Sequence, residues 1–341
     1  IFNGTEQKRL YPTRTPNPNI TWEVGTTYNV GMDFKFLQNR LSVEADAFYH
    51  KRTHILISRN ASLPEITGIT LPKENIGEME NKGLEFQVDG MLVQRNDFYW
   101  QVAATGSMNR NRILKINSAL KKANEDANKV DSKTPLAQYE EGESTTALKV
   151  VKSAGIDPAT GQEVFIKLNG ERTFEYSADD KFVIGDTEPR FRGTVSTNLF
   201  YKGFSLYLLG RYECGAYLYN ETRATKVEGA NPKKNADKRV FDSRWKSPGD
   251  IAFYKDIADS DGWGTNPKHS DRFVEKENVF TLGTVNFGYE FGQNICSKIG
   301  VRNLRVGVNL TDIVRWSNVK IERGTTYLYS NGFEFTLSTT F

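Results

Sequence analysis

Chemistry in this chain would have to come from a few polar clusters. Glu78 and Glu80 stand two positions apart, a spacing that puts both carboxylates on one face of a strand, where they could share acid and base work. Neither has a partner nucleophile or His to complete such a constellation, so no catalytic role is expected and the chain reads as a non-enzyme. Asp256, Asp259 and Asp261, followed by Gly262, could offer oxygens to calcium. Their spacing misses the EF-hand pattern and lacks its closing Glu, which favours a solvated loop and no cofactor. Trp245, Phe253, Tyr254 and Trp263, beside Arg244, Lys255 and Asp256, offer ring faces and polar groups that could stack on a sugar or a peptide. The competing reading of the same rings is packing inside their own loop. Cys214 and Cys296 are far apart in sequence and look like neither a nucleophile nor a ligand pair. A net charge of +3 with mixed signs leaves no nucleic-acid footprint. The basic cluster Lys233, Lys234, Lys238 and Arg239 around Asp237 reads as a solvated face.

The elements that carry these residues repeat with a period of two. The last nine residues alternate Phe333, Phe335, Leu337, Thr339 and Phe341 against Glu334, Thr336, Ser338 and Thr340. Such alternation makes one face of a strand apolar and leaves the other wet. From Thr21 to Leu37 the even positions, Trp22 through Phe36, are largely apolar and aromatic, and the charges of Glu23, Asp33 and Lys35 fall on the odd face. The pattern recurs from Leu41 to Tyr49, Leu84 to Leu92, Phe98 to Met108, Phe191 to Leu199, Phe204 to Leu208, Val279 to Phe291 and Leu304 to Leu310. This predicts about nine antiparallel strands long enough to cross a bilayer, for which about 9 to 11 residues are needed.

Connections alternate as well. Gln38–Asn39, Gln94–Asn96, Tyr201–Gly203 and the slightly longer Gly292–Gly300 are tight turns, whereas 58–75, 113–187, 219–272 and 314–330 are long polar excursions. Short turns on one side and long loops on the other are the pattern of outer-membrane barrels, with turns in the periplasm and loops outside. The carboxyl end then falls in the periplasm and residues 1–20 form an extracellular segment before barrel strands spanning 21–341. The segment from Arg112 to Val130 carries Ile113, Ile116, Leu120 and Ala123 at helical spacing and predicts a short helix inside a loop. Mean hydropathy is −0.55, with 38% apolar and 12% aromatic residues, and nothing approaches a membrane helix. Alternating lipid-facing and lumen-facing residues cancel in such averages, so the low value agrees with a barrel. Trp22, Tyr49, Phe98, Trp100 and Phe341 are candidates for the aromatic girdles, and Phe333, Phe335 and Phe341 for a terminal strand that directs barrel assembly.

Several longer motifs resemble the SusC-like (SusC/RagA) TonB-dependent outer-membrane transporters. They are Asn17-Pro-Asn-Ile-Thr-Trp-Glu23, Tyr28-Asn-Val-Gly-Met-Asp33, Asn39-Arg-Leu41, Asn75-Ile-Gly-Glu-Met-Glu-Asn-Lys-Gly83, Asp157-Pro-Ala-Thr-Gly161, Arg244-Trp-Lys-Ser-Pro-Gly-Asp250 and Asn303-Leu-Arg-Val-Gly-Val-Asn-Leu-Thr-Asp312. The resemblance implies an all-β transmembrane antiparallel barrel of about 22 strands with a plugged lumen. The present chain would supply its carboxyl-terminal part. It further implies a SusD-like lipoprotein lid, against which the loop aromatics could pack, and energy delivered by TonB through a plug that precedes the barrel. The expected cargo is oligosaccharides or peptides. The partners implied are the amino-terminal plug and barrel part, the lipoprotein, TonB, and membrane lipid or lipopolysaccharide. The alternatives are a passive porin-like or structural outer-membrane barrel and, less consistent with long strands and one-sided loops, a soluble β-sandwich.

Overall fold

The computed structural model describes residues 17–58, 73–75, 77–130, 132, 134–231, 235, 237–257, 268–320 and 330–341. In chain order, strands β1 (Val24–Phe36) and β2 (Leu41–Thr53) are followed by the short β3 (Leu56–Ser58) and β4 (Lys73–Asn75), then β5 (Gly77–Arg95) and β6 (Phe98–Ile116). Helix α1 (Ser118–Lys129) and strands β7 (Ala147–Ile156), β8 (Glu163–Ile166), β9 (Arg172–Thr173) and β10 (Lys181–Asp186) come next. The chain then returns through β11 (Phe191–Tyr201), β12 (Phe204–Tyr219), β13 (Val274–Glu290), β14 (Asn303–Ser317) and β15 (Gly332–Thr340). Nine strands form one sheet in the order β1-β2-β5-β6-β11-β12-β13-β14-β15, and every neighbouring pair is antiparallel. No helix among the described residues is long and apolar enough to cross a membrane.

The alternation fixes which way each strand faces. Met32 pairs with Ala45, Ala45 with Phe86, Leu206 with Phe287, Phe287 with Val308 and Val308 with Phe335, so apolar side chains meet across the sheet on one face. Asp33 with Glu44, Asp46 with Glu85 and Ser107 with Arg192 line the other. A one-residue slip would exchange the two faces, which is why the register is strongly specified. On the apolar face Gly106 opposes Gly193, and the Phe86, Phe191 and Tyr212 rings close over the pair with centroids 6.0 and 5.2 Å apart. A methyl group at either glycine would collide with these rings or the Thr105 carbonyl, so flat aromatic cover replaces the missing side chains.

At one end the strands are joined by turns whose chemistry is local. Lys202 and Gly203 both have positive φ (45° and 90°), the requirement of a two-residue hairpin matching strand twist. The turn after β5 is Asn96–Asp97, slightly beyond the expected Gln94–Asn96, because β5 continues to Arg95. Phe98 meets Tyr201 edge-on at 5.9 Å, and Phe204 meets Tyr289 at 4.5 Å, giving this rim an aromatic band. Gly292–Gly300 is a compact turn built on a four-residue helix, α2 (Gln293–Cys296), with Cys296 fully buried.

At the other end the strands overrun the expected loops. β6 continues to Ile116, so the expected helix over 112–130 is shorter: it starts after Asn117, whose Oδ1 accepts from the Leu120 amide at 2.9 Å. Ile113 and Ile116 lie on the strand. Met79 pairs with Ile113 and Glu78 with Lys115, so Leu114 is an inserted residue that puts positions 113 and 116 on one side, imitating helical spacing. The long loops are also not mere polar excursions. Residues 117–190 contain α1 and a second sheet in the order β10-β7-β8-β9, and 220–273 contain a π-helical turn over Thr222–Glu228. Most of the deeply buried side chains sit here: Val150, Val151, Val227, Val240 and Phe273 are at most 1% exposed.

Candidate functional site: the polar wall and the loop crown

The two long loops fold into a single crown above the wall. Val151 forms a parallel bridge to Ser270 and its amide donates to the His269 carbonyl at 2.9 Å, while the Asn220 amide donates to the Phe273 carbonyl at 2.7 Å. Ala224, Val227, Tyr254 and Phe273 form a buried hydrophobic cluster within 220–273. Fully burying one such aromatic contributes about 1.5–3 kcal/mol.

At its centre lies Arg272. Its guanidinium donates to both Glu163 oxygens at 2.7 and 2.6 Å, to both Glu228 oxygens at 2.8 and 2.9 Å, and to the Phe253 carbonyl at 2.6 Å. Burial disfavours its charge, but the carboxylates of Glu228 and Glu163 outweigh that and hold its pKa above the ordinary arginine value. The fork geometry of arginine suits two carboxylates at once, and lysine could not reproduce it. Beside it Arg244 is buried against carbonyls, donating to Val240, Lys255, Val227 and Glu228 at 2.7, 2.9, 2.6 and 3.1 Å. Burial pushes the Arg244 pKa down, partly opposed by Glu228 and Asp256.

Two of the sequence motifs meet in this crown. In Asp157–Gly161, Asp157 Oδ2 accepts from the Thr160 amide at 3.2 Å and its hydroxyl at 2.7 Å, and Gly161 takes φ +74°. In Arg244–Asp250, Asp250 accepts from the Lys246 and Ser247 amides at 3.0 and 2.9 Å, which hold its pKa below the usual carboxylate range. The Trp245 indole joins the two, donating to the Pro158 carbonyl at 2.9 Å with its ring over Gly161.

The structure therefore places the expected aromatic site differently from a solvent-facing platform. Trp245 is 9% and Tyr254 6% exposed, because both rings complete the crown's interior. Phe253 is partly exposed, stacked edge-on against Tyr254 at 4.9 Å with the Arg223 guanidinium 4.4 Å from its centroid. Trp263, Asp259 and Asp261 lie outside the described residues. Asp256 is partly buried and its amide donates to the Gly161 carbonyl at 3.2 Å. Among the described residues no group of three or more His, Cys, Asp and Glu is placed to hold a metal. Glu78 pairs with Lys51 at 3.1 Å and Glu80 accepts from the Tyr49 hydroxyl at 3.0 Å, a polar ladder where the strands leave the apolar band. Phe333, Phe335 and Phe341 stand exposed at the end of the sheet. Of the described part of the basic cluster, Asp237 accepts from Arg239 at 2.6 Å, and this guanidinium and backbone contact lowers its pKa to about 2. Sequence reading missed Arg272, Glu163 and Glu228, which no local pattern connects.

The polar wall carries its own charges. Glu44, Asp46, Glu85, Gln87, Thr105 and Arg192 surround a hollow of about 290 Å³ on that face. Arg211 on β12 reaches Asp312 on β14 at 3.3 Å across the single strand β13, with Asp312 at φ +51°. A sequence model of the family described as "TonB dependent receptor-like, beta-barrel" matches residues 4–304. The chain belongs to this family. TonB-dependent receptor P3 of Formosa agariphila is 27% identical over 320 residues, covering 89% of this chain and 30% of that protein. TonB-dependent receptor SusC of Bacteroides thetaiotaomicron is 34% identical over 110 residues, 31% of this chain and 11% of that protein. The RagAB peptide importer in its "open-open" state superposes with TM-score 0.74 at 21% identity, covering 95% of this chain and 35% of that one. The likeness to RagAB is one of fold. The chain, nearly all of which is matched, thus spans about a third of the length of TonB-dependent receptor P3 and of the RagAB chain, and it forms part of a TonB-dependent receptor-like outer-membrane β-barrel.

Proposed function

We propose that the protein to which this chain belongs imports oligosaccharides or peptides across the outer membrane, coupled to TonB through a plug that precedes the barrel. A SusD-like lipoprotein closes it from outside, and the crown lies on that side. The observation that carries this reading is a membrane-length sheet with one apolar and one charged face, in a chain of the TonB-dependent receptor family. The names of the relatives support it: SusC is a TonB-dependent receptor, and RagAB is called a peptide importer. The role of the polar wall is to pass a hydrated solute, and that of the crown to hold the outer mouth in one shape. The wall's exposed outer face meets lipid and lipopolysaccharide. Phe333, Phe335 and Phe341 serve assembly, not recognition.

The test is uptake by cells expressing the full-length receptor, with and without TonB, alongside conductance of the purified receptor in planar bilayers. Import that disappears without TonB, with low conductance in bilayers, is the expected result. Steady ion leakage and TonB-independent uptake would establish a passive barrel instead.

A further inference from the structure

A cavity of about 240 Å³ opens on the crown, where the end of α1, the segment leading into β10 and the stretch before β13 converge. Its charged lining is one-sided. Lys129, Lys181 and Lys268 border it, and none of its lining residues among those described is a carboxylate. Lys129 is compensated at the rim by Asp126 at 3.3 Å. Lys181 donates to Asn128 Oδ1 at 3.0 Å, a neutral acceptor already taken by Gln138 Nε2 at 2.5 Å. Burial, and then Lys149, press the Lys181 pKa down, with only Asp179 opposing. Lys149 itself is paired with Glu140 and Glu143 at 2.6 and 2.7 Å. Lys268 Nζ stands 5.8 Å from the centroid of the Tyr176 ring, which forms one wall. His269 Nε2 is engaged by the Ser132 carbonyl at 2.9 Å, which fixes the ring. The carbonyl end of α1 contributes partial negative charge, but less than the two ammonium groups that have no carboxylate partner among the described residues lining the cavity.

We propose that this cavity binds a compact oxyanion carried on a single sugar-sized unit. The ammonium groups of Lys181 and Lys268 supply the charge, and the Tyr176 ring with Leu136 supplies an apolar wall for the carbon skeleton. The volume falls below the roughly 300–1,000 Å³ of drug-sized pockets, so it holds one unit of a chain and not a chain. The inference deepens the importer reading, in that a solute or its terminal residue would be held at the outer mouth, but binding can be measured without transport.

The experiment titrates the detergent-purified full-length receptor with galacturonate by ligand-observed NMR, using galactose as the neutral control and inorganic sulfate as competitor. Saturable galacturonate binding in about the millimolar range is expected for a ligand this small. Galactose should bind about tenfold more weakly or less, and sulfate should displace galacturonate. Lys181→Gln with Lys268→Gln, which removes both charges but keeps polar side chains, should weaken binding about tenfold or more, while Lys181→Arg retains it. Galacturonate binding no tighter than galactose, failure of sulfate to compete, or an unchanged affinity in the double variant would each overturn the proposal. Lost binding with TonB-dependent uptake intact leaves the importer reading in place, whereas TonB-independent leakage removes that reading without touching the site.

Discussion

The wall and the crown are stabilised by different physics. The wall is long antiparallel strands, each paired with the wall strand before and after it, with side chains still exposed on both faces of β1 and β15. Its apolar face is suited to lipid, and its stability depends on the ladder and on the surrounding bilayer. The crown is built like a small globular domain, with a buried cluster and a buried ion triad. In one region a strand is positioned by the next strand, and in the other two loops are positioned by one guanidinium.

That contrast can be broken most sharply at Arg272. Arg272→Ala leaves Glu163 and Glu228 buried without their cation, a loss of about 3–5 kcal/mol. Limited proteolysis should show cleavage in 117–190 and 220–273, while the wall keeps its heat-modifiable mobility on gels. Unfolding of the wall together with the crown would show that the two are one unit. Phe287→Arg tests the opposite region. Phe287 faces Leu206 and Val308 on the apolar side, where a cation costs about 2–4 kcal/mol near the bilayer centre. Less barrel in the outer membrane is expected, whereas Asn286→Arg, one residue away on the polar face, should be nearly neutral.

Phe341→Asp separates assembly from transport. It should lower the amount of assembled barrel more than it changes import by those barrels that assemble, and normal barrel levels would refute an assembly role. A finer probe of the crown is Gly161→Ala. The added methyl would lie 2.6 Å from the Trp245 ring at a backbone angle of φ +74°, costing about 1–3 kcal/mol locally. Indole fluorescence from Trp245 should shift to the red; an unchanged spectrum would mean the two motifs are not locked together.

The smallest expected effect concerns pH. Burial, with Glu163 adding to it, pushes the Tyr176 phenol up to about 12. The folded crown keeps that proton where the unfolded chain releases it near 10, so stability falls as pH rises between those values. Tyr176→Phe should flatten this alkaline loss, measured as protease resistance of the crown between about pH 10 and 12.

These tests also mark what was legible in advance. Phe333 to Phe341 declared a strand because side-chain direction in a strand depends on nothing beyond position parity, and Lys202–Gly203 declared a turn because positive φ is a local property. The exception at 112–116 is instructive, since the inserted Leu114 changed the parity and made a strand look helical. The loop aromatics were visible as a group, but their direction was not, and Trp245 and Tyr254 turned inward.

By itself, then, the sequence determined the period, the nine long strands of the wall and the short-turn end, all consequences of local backbone geometry, and its motifs carried the family. Only the tertiary structure decided that Asp157–Gly161 and Arg244–Asp250 are two halves of one joint, held by Trp245 on Pro158. It alone also decided that Arg272 answers Glu163, 109 positions away, and Glu228, 44 positions away. A charge pair that distant leaves no periodic trace in the chain, because its energy arises only once both loops have closed and water has been excluded.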